Sequence, residues 1–269
     1  MTDLLPDVAL AALLGLVCGS FLNVLIHRLP IMIEQACDEA PASGAPPMHL
    51  AWPGSHCPVC LHPIAWRDKL PLISFVLLRG HCRHCQTRIA WHYPVVELLT
   101  AVLFVWSLLA HAAWPQALAW GGFAAALLAL AVIDARTRWL PDAITQPLTW
   151  GGLIAAAMGW TAVSLTDALG GAVAGYLCLW LVYWGFRLAT GQEGMGHGDF
   201  KLLAALGAWF GWPQLLALVL IASVSGLLVA LLLLWRQQLP ENRQIAFGPF
   251  LALAGAWLMF FGTPSYLML

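Results

Sequence analysis

Apolar residues are grouped along the chain into eight long runs, separated by polar stretches. A membrane-spanning helix needs about 20 apolar residues to cross a hydrocarbon core about 30 Å thick. The pattern therefore predicts an all-α polytopic membrane protein with about eight transmembrane helices. The predicted segments are residues 8–26, 95–113, 115–133, 147–163, 168–186, 198–212, 215–235 and 245–261.

Positive residues indicate how these helices are oriented. If the N-terminus is outside, the inside connections are 28–94, 134–146, 187–201 and 236–244, and all twelve Lys and Arg residues fall within them. Cytoplasmic loops carry such an excess of Lys and Arg. We expect a periplasmic N-terminus and a cytoplasmic 28–94 region. The acidic start lacks the positive region of a cleavable signal peptide, so we expect the first helix to be retained.

The sixth apolar segment is shorter than a bilayer requires. From Asp199 to Trp212 there are 14 residues, which form about 21 Å of helix. Either this helix begins earlier, near Gly194, or it spans only part of the bilayer.

Composition supports lipid as the surrounding solvent. Hydrophobic residues make up 61% of the 269 residues and charged residues 9%, whereas soluble domains have roughly 25% charged residues. The net charge of −1 gives no indication of nucleic acid as a partner.

Two Cys-x-x-Cys pairs lie in the long polar region, with 21 residues between them. Four thiolates in this spacing are typical of a closed tetrahedral zinc site, which stabilises a fold and leaves no open position for catalysis. A reducing cytoplasm disfavours disulfides. A redox pair or unpaired thiols are the alternatives to structural zinc. The predicted ligands are Cys57, Cys60, Cys82 and Cys85.

Two aspartates lie at the same predicted membrane face. Asp134 ends the third apolar segment, and Asp199 follows a glycine-rich stretch that includes Gly196 and Gly198. Carboxylates at membrane depth are costly and indicate function, and two close carboxylates that share a proton can hydrolyse a peptide bond through activated water. The alternatives are that Asp199 caps a helix or that Asp134 pairs with Arg138.

Glycines beside Asp199 leave room for a substrate backbone, so Gly196 and Gly198 are predicted substrate contacts. Asp142 is well placed to cap the fourth segment. Glu97 begins the second segment, as either a substrate contact or an interfacial charge.

The order of these motifs resembles the bacterial type IV prepilin peptidases, the leader peptidase/N-methyltransferases. The resemblance runs from about residue 19 to residue 210. It is carried by Gly-Ser-Phe-Leu-Asn-Val with Arg-Leu-Pro (19–24, 28–30), the two cysteine pairs, Leu-Arg-Gly (78–80), Tyr-Pro-Val-Val-Glu (93–97), Asp134 with Leu-Pro-Asp (140–142), and Gly-His-Gly-Asp-Phe-Lys-Leu (196–202).

The resemblance implies an intramembrane aspartyl endopeptidase of the bacterial inner membrane with Asp134 and Asp199 as catalytic residues. Such enzymes remove the basic leader of prepilins and pseudopilins, and members with the cysteine region also methylate the new N-terminus with S-adenosylmethionine. Glu97 would then contact the basic leader. The chain shows no nucleotide-binding glycine motif, so the residues that bind this cofactor are not assigned.

The expected domains are a first transmembrane helix (1–27), a cytoplasmic zinc-binding domain (28–94) and a membrane peptidase core (95–269). A proton-coupled transporter and a non-catalytic zinc-domain scaffold remain as alternatives, because membrane carboxylates also serve ion pathways.

Overall fold

A computed structural model describes residues 4–37, 48–111, 113–192, 194–237 and 245–262. Within these ranges the chain is helical and forms no strand longer than an isolated bridge. The predicted all-α class is confirmed. Arg243, one of the positive residues used to infer orientation, lies outside the described residues.

Each of the eight predicted apolar segments contains a helix. The fourth begins earlier than expected, at Asp142 instead of residue 147, because Pro147 is tolerated inside its second turn. The polar region also contains a 3₁₀ turn and the short helix α2, and a second 3₁₀ turn lies between α7 and α8. The helices are α1 Leu4–Cys37, α2 Ile73–Leu77, α3 His92–Ala110, α4 Trp114–Thr137, α5 Asp142–Ala157, α6 Leu165–Thr190, α7 His197–Phe210, α8 Leu215–Trp235 and α9 Gly248–Phe261, with 3₁₀ turns at Trp66–Lys69 and Trp212–Gln214.

Five helical segments among the described residues are long and apolar enough to cross a membrane. They are α1, α3, α4, α6 and the segment Trp212–Trp235, which consists of the second 3₁₀ turn and α8. The other three apolar helices are shorter, with 16 residues in α5 and 14 each in α7 and α9. α7 begins at His197, so the suggestion of an earlier start near Gly194 is wrong.

Contacts divide the chain into two compact units, residues 1–125 and 126–269. In the first unit α1 packs on α3. A Cβ on Gly15 would lie 2.6 Å from the Cα of Ala101, and a Cβ on Gly19 would lie 2.7 Å from the Cα of Glu97. Small residues one turn apart thus let the two backbones approach closely.

In the second unit α7 is the central helix. It packs against α5, α6, α8 and α9, and ten of its fourteen residues are buried. Where α6 crosses α7, a Cβ on Gly171 or on Gly207 would overlap the carbonyl of the other glycine. Since protein surrounds α7, this helix does not have to match the bilayer thickness. The domain boundaries expected from the sequence, after residues 27 and 94, stay predictions.

Candidate active site and metal centre

Asp134 lies in the last turn of α4 and is only 4% exposed. Its Oδ2 makes no well-formed hydrogen bond among the described residues, although the backbone N–H of Gly248 lies near enough to attract the carboxylate. The carboxylate faces the N-terminus of α9, where a Cβ on Gly248 would lie 2.6 Å from Oδ2. Its link to Arg138 is a backbone hydrogen bond of 2.8 Å from the Arg138 N–H to the Asp134 carbonyl.

Asp199 is the third residue of α7 and is 7% exposed. The N-cap of this helix is Gly196, so Asp199 is not the N-cap residue. The Asp199 carboxylate, at the third helical position, interacts with the backbone N–H of Gly196, so the alternative that Asp199 helps to cap this helix stays open. Burial of a carboxylate that has no cation as partner among the described residues is costly, and such groups concentrate at functional sites.

The two aspartates lie close enough for the charge of Asp134 to act on Asp199. Leu140, in the connection between α4 and α5, bridges their surroundings. A Cβ on Gly198 would lie 2.6 Å from Cβ of Leu140, and one on Gly248 would lie 3.1 Å from its Cδ1. The two buried carboxylates thus lie beside glycines, Gly198 and Gly248, and both glycines pack against Leu140.

Asp142 does not cap α5, contrary to the sequence-based expectation. The N-cap is Pro141, with no capping side chain. The Asp142 carboxylate instead accepts both of its hydrogen bonds from Nζ of Lys201, at 2.6 and 2.7 Å. This exposed ion pair joins the start of α5 to the first turns of α7, two residues beyond Asp199.

Glu97 lies in the first unit and is half-buried. Its Oε2 accepts a hydrogen bond of 2.9 Å from the backbone N–H of Leu72, which precedes α2. The residue therefore fixes the polar region against α3. A role of Glu97 in binding the leader stays a prediction.

The four predicted metal ligands converge. The sulfur atoms of Cys57, Cys60, Cys82 and Cys85 lie within 4.8 Å of one another, and Sγ of Cys57 is 3.7 Å from Sγ of Cys85. Tetrahedral zinc with bonds of about 2.3 Å requires sulfurs about 3.8 Å apart. The backbone N–H groups of Cys60 and Val59 lower the pKa of Cys57 to about 6, which favours its thiolate, whereas burial and the neighbouring thiol groups raise the pKa of Cys60 to about 11.

The two cysteine pairs form turns of the same construction. In each, the N–H of the first cysteine bonds to the carbonyl five residues later, at 3.0 Å for Cys57 and 2.8 Å for Cys82. In each, the residue after the second cysteine is left-handed, with φ of 57° at Leu61 and 58° at Gln86. Two equal turns facing each other offer four thiolates to one ion, which favours a metal site over a redox pair.

Gly248 and Leu140 were missed in the sequence. The signal at Gly248 was a Gly-Pro pair at the start of an apolar run, which is typical of a helix start. Leu140 belongs to the Leu-Pro-Asp motif (140–142), but its contacts depend on which helices its side chain touches, and the motif does not record that.

Two family models match the chain. The model described as "Bacterial Peptidase A24 N-terminal domain" matches residues 13–111, and the one described as "Type IV leader peptidase family" matches residues 121–231. A protein of Burkholderia pseudomallei (strain 1026b) named "Prepilin leader peptidase/N-methyltransferase" is 47% identical over 98% of this chain and 88% of its own length. The chain belongs to the type IV leader peptidase family.

Other relatives carry the same name. The protein of Dickeya chrysanthemi is 48% identical over 93% of this chain and 92% of its own length. The protein of Aeromonas hydrophila is 46% identical over 93% of this chain and 89% of its own length. No solved structure matches the chain. In this member of the family, the leader peptidase match covers Asp134, Asp199 and the glycines beside Asp199, and the N-terminal match covers the four cysteines.

Proposed function

We propose that the chain is an intramembrane aspartyl endopeptidase that removes the basic leader of prepilins and pseudopilins at the cytoplasmic face of the inner membrane. The observation that carries this proposal is the burial of two carboxylates, Asp134 and Asp199, near enough for the charge of one to act on the other, in a chain with near full-length relatives named as prepilin leader peptidases. The family assignment leaves the transporter and scaffold alternatives without support.

The chemistry follows from the proximity of the two carboxylates. Two like charges in a low-dielectric site favour a state in which they share one proton. The ionised aspartate accepts a proton from the attacking water, and the neutral one donates a hydrogen bond to the scissile carbonyl and then protonates the departing amine. Gly196 leaves space for the extended substrate backbone beside Asp199, whereas the space beside Gly198 is taken by Leu140. Glu97 attracts the basic leader.

The metal in this proposal is zinc, held by the four cysteines as a structural ion. Their sulfur spacing fits tetrahedral zinc, and four thiolates fill its coordination shell. The ion cross-links two turns of a region that contains few buried side chains of its own.

The second activity in the proposal is N-methylation of the newly exposed amino terminus with S-adenosylmethionine, as the names of the relatives indicate. This cofactor supplies the methyl group. The distribution of the twelve Lys and Arg residues supports an orientation with a periplasmic N-terminus and a cytoplasmic zinc region. A substrate with a basic leader and an apolar stem would place the junction between them at that cytoplasmic face.

Co-expression with a prepilin tests the peptidase. We expect wild type to remove the leader and Asp134→Asn and Asp199→Asn each to lower the rate by roughly 10²–10⁴-fold, the usual contribution of acid–base groups. Leader removal is measured as a shift in the electrophoretic mobility of the pilin. Asp142→Asn is the matched control, because this carboxylate is exposed and pairs with Lys201. Wild-type rates in either catalytic variant would refute the assignment.

A further inference from the structure

A polar cluster lies at the contact of α1 and α3 in the first unit. Its members are Ser20 and Asn23, one turn apart on α1, and Glu97 on α3. Gly19 brings the backbones together here, with its Cβ position 2.7 Å from the Cα of Glu97. We call Ser20, Asn23 and Glu97 the α1–α3 polar cluster.

Asn23 has a hydrogen-bond acceptor without a partner in the part of the chain that the structure describes. The residue is 6% exposed, and its Nδ2 donates to the carbonyl of Tyr93 at 3.0 Å. Its Oδ1 is buried without a hydrogen-bond partner in the described chain. Turning the amide over would place Oδ1 against the Tyr93 carbonyl oxygen, so the orientation is fixed. An unsatisfied buried acceptor is costly, and a bound donor removes that cost.

Glu97 adds a negative charge to the same contact. Its carboxylate accepts the N–H of Leu72 at 2.9 Å and has the Ser20 hydroxyl as a further neighbour. A carboxylate has about four acceptor positions, so two donors leave capacity. Among the described residues no Lys or Arg pairs with Glu97. A half-buried carboxylate without a cation is complementary to a cationic ligand.

We propose that the α1–α3 polar cluster binds an ammonium group. An ammonium carries three N–H donors and one positive charge, which match Oδ1 of Asn23 and the carboxylate of Glu97. This inference rests on the proposed N-methylation, because both ligands of that reaction carry such a group. One source is the amino-acid part of S-adenosylmethionine, and the other is the amino terminus of the cleaved substrate.

Binding to the full-length protein in nanodiscs separates the two sources. S-adenosylhomocysteine carries the ammonium group but no transferable methyl, and methylthioadenosine lacks the amino-acid part altogether. A peptide with the amino terminus of a mature pilin is compared with its acetylated form, which has no ammonium. Calorimetry gives each affinity for wild type, Glu97→Gln and Glu34→Gln. The Glu97→Gln variant keeps an acceptor for the Leu72 N–H and loses only the charge, and Glu34 is an exposed glutamate of α1 that serves as the matched control.

We expect Glu97→Gln to weaken one ammonium-bearing probe by roughly tenfold or more, the usual effect of losing a charged hydrogen bond. Weaker S-adenosylhomocysteine with unchanged methylthioadenosine assigns the site to the methyl donor. Weaker free-amine peptide with an unchanged acetylated peptide assigns it to the substrate. Glu34→Gln should match wild type. Unchanged affinities in a folded Glu97→Gln variant, or no binding of either probe to wild type, would overturn the proposal.

Hydrogen exchange on wild type covers the case in which Glu97→Gln fails to fold. The saturating ammonium-bearing probe should slow exchange of backbone amides in residues 16–27 and 92–100, and the probe without ammonium should not. Equal exchange with both probes would overturn the proposal. Leader removal, assayed in the same preparation, tests the peptidase separately, because binding requires no cleavage.

Discussion

At the scale of single residues, the position of Asp134 depends on a glycine that belongs to another helix. Gly248 begins α9, and the space that a side chain there would occupy is filled by Oδ2 of Asp134 and by Leu140. The carboxylate can therefore lie against a helix N-terminus, where the helix dipole favours negative charge. A glycine 114 positions after the aspartate thus contributes to the site as directly as the glycines beside Asp199 do.

Gly248→Ala should lower the rate of leader removal by roughly 10–100-fold with little change in thermal stability. The added Cβ would lie 2.6 Å from Oδ2 of Asp134 and displace it, and a displacement of about 1 Å at a catalytic group costs up to about 10²-fold in rate. The control is Gly122→Ala in α4, where an added Cβ has no neighbour within 4 Å. A wild-type rate for Gly248→Ala would show that α9 does not restrain Asp134.

At the scale of helices, close crossings fix α7 and with it Asp199. Gly171 of α6 and Gly207 of α7 each occupy space that a side chain on the other would need. On the opposite side of α7, the indole N–H of Trp209 donates to the carbonyl of Leu148 in α5 at 2.8 Å. Helices in lipid associate through such packing and hydrogen bonds, because lipid removes the hydrophobic drive between them.

Gly207→Ala should destabilise the second unit by about 1–3 kcal/mol, the usual cost of an added methylene group in a packed core. Thermal unfolding in detergent measures the change. Gly185→Ala is the control in α6, since an added Cβ there has no neighbour within 4 Å, and an alanine in an open helix position is neutral or stabilising. Equal unfolding temperatures for the two variants would contradict the close crossing.

The two cysteine turns act together as one element. We expect one zinc per chain by elemental analysis, and loss of the metal in Cys60→Ser and in Cys85→Ser, because each removes one thiolate from a four-ligand shell. Cys178→Ser, which alters an exposed cysteine of α6, should retain the metal. Retention in both ligand variants, or another metal in their place, would refute a four-cysteine zinc site.

The positions of the helices could be predicted from the sequence more reliably than the contacts between them. α8 begins and ends at the predicted residues 215 and 235, since a long apolar run between polar residues defines a membrane helix by length alone. The two aspartates and the four cysteines also follow from their residue types and spacing. The Lys201–Asp142 pair and the roles of Leu140 and Gly248 depend on which helices pack together, and no local pattern records that.

At the scale of the whole molecule, α7 decides the topology. It has 14 residues, about 21 Å of helix, and its neighbours cover it. A buried helix can satisfy its backbone without reaching both membrane surfaces, because protein and not lipid surrounds it. Whether α7 counts as a crossing determines on which side Arg236 and the following connection lie.

Fusions to a pair of reporter proteins test whether α7 crosses the membrane. We expect fusions after Gln192 and after Gln237, the two ends of the α7–α8 region, to make a cytoplasm-specific fluorescent protein fluoresce and to leave a periplasm-specific phosphatase inactive. Both positions lie beside Arg residues, Arg187 and Arg236, which resist translocation. A fusion after Trp160, between α5 and α6, is the control and should give the opposite signals. If Gln237 reports the periplasm while Gln192 reports the cytoplasm, α7 does not cross, and the protein has one transmembrane passage fewer than its positive residues predict.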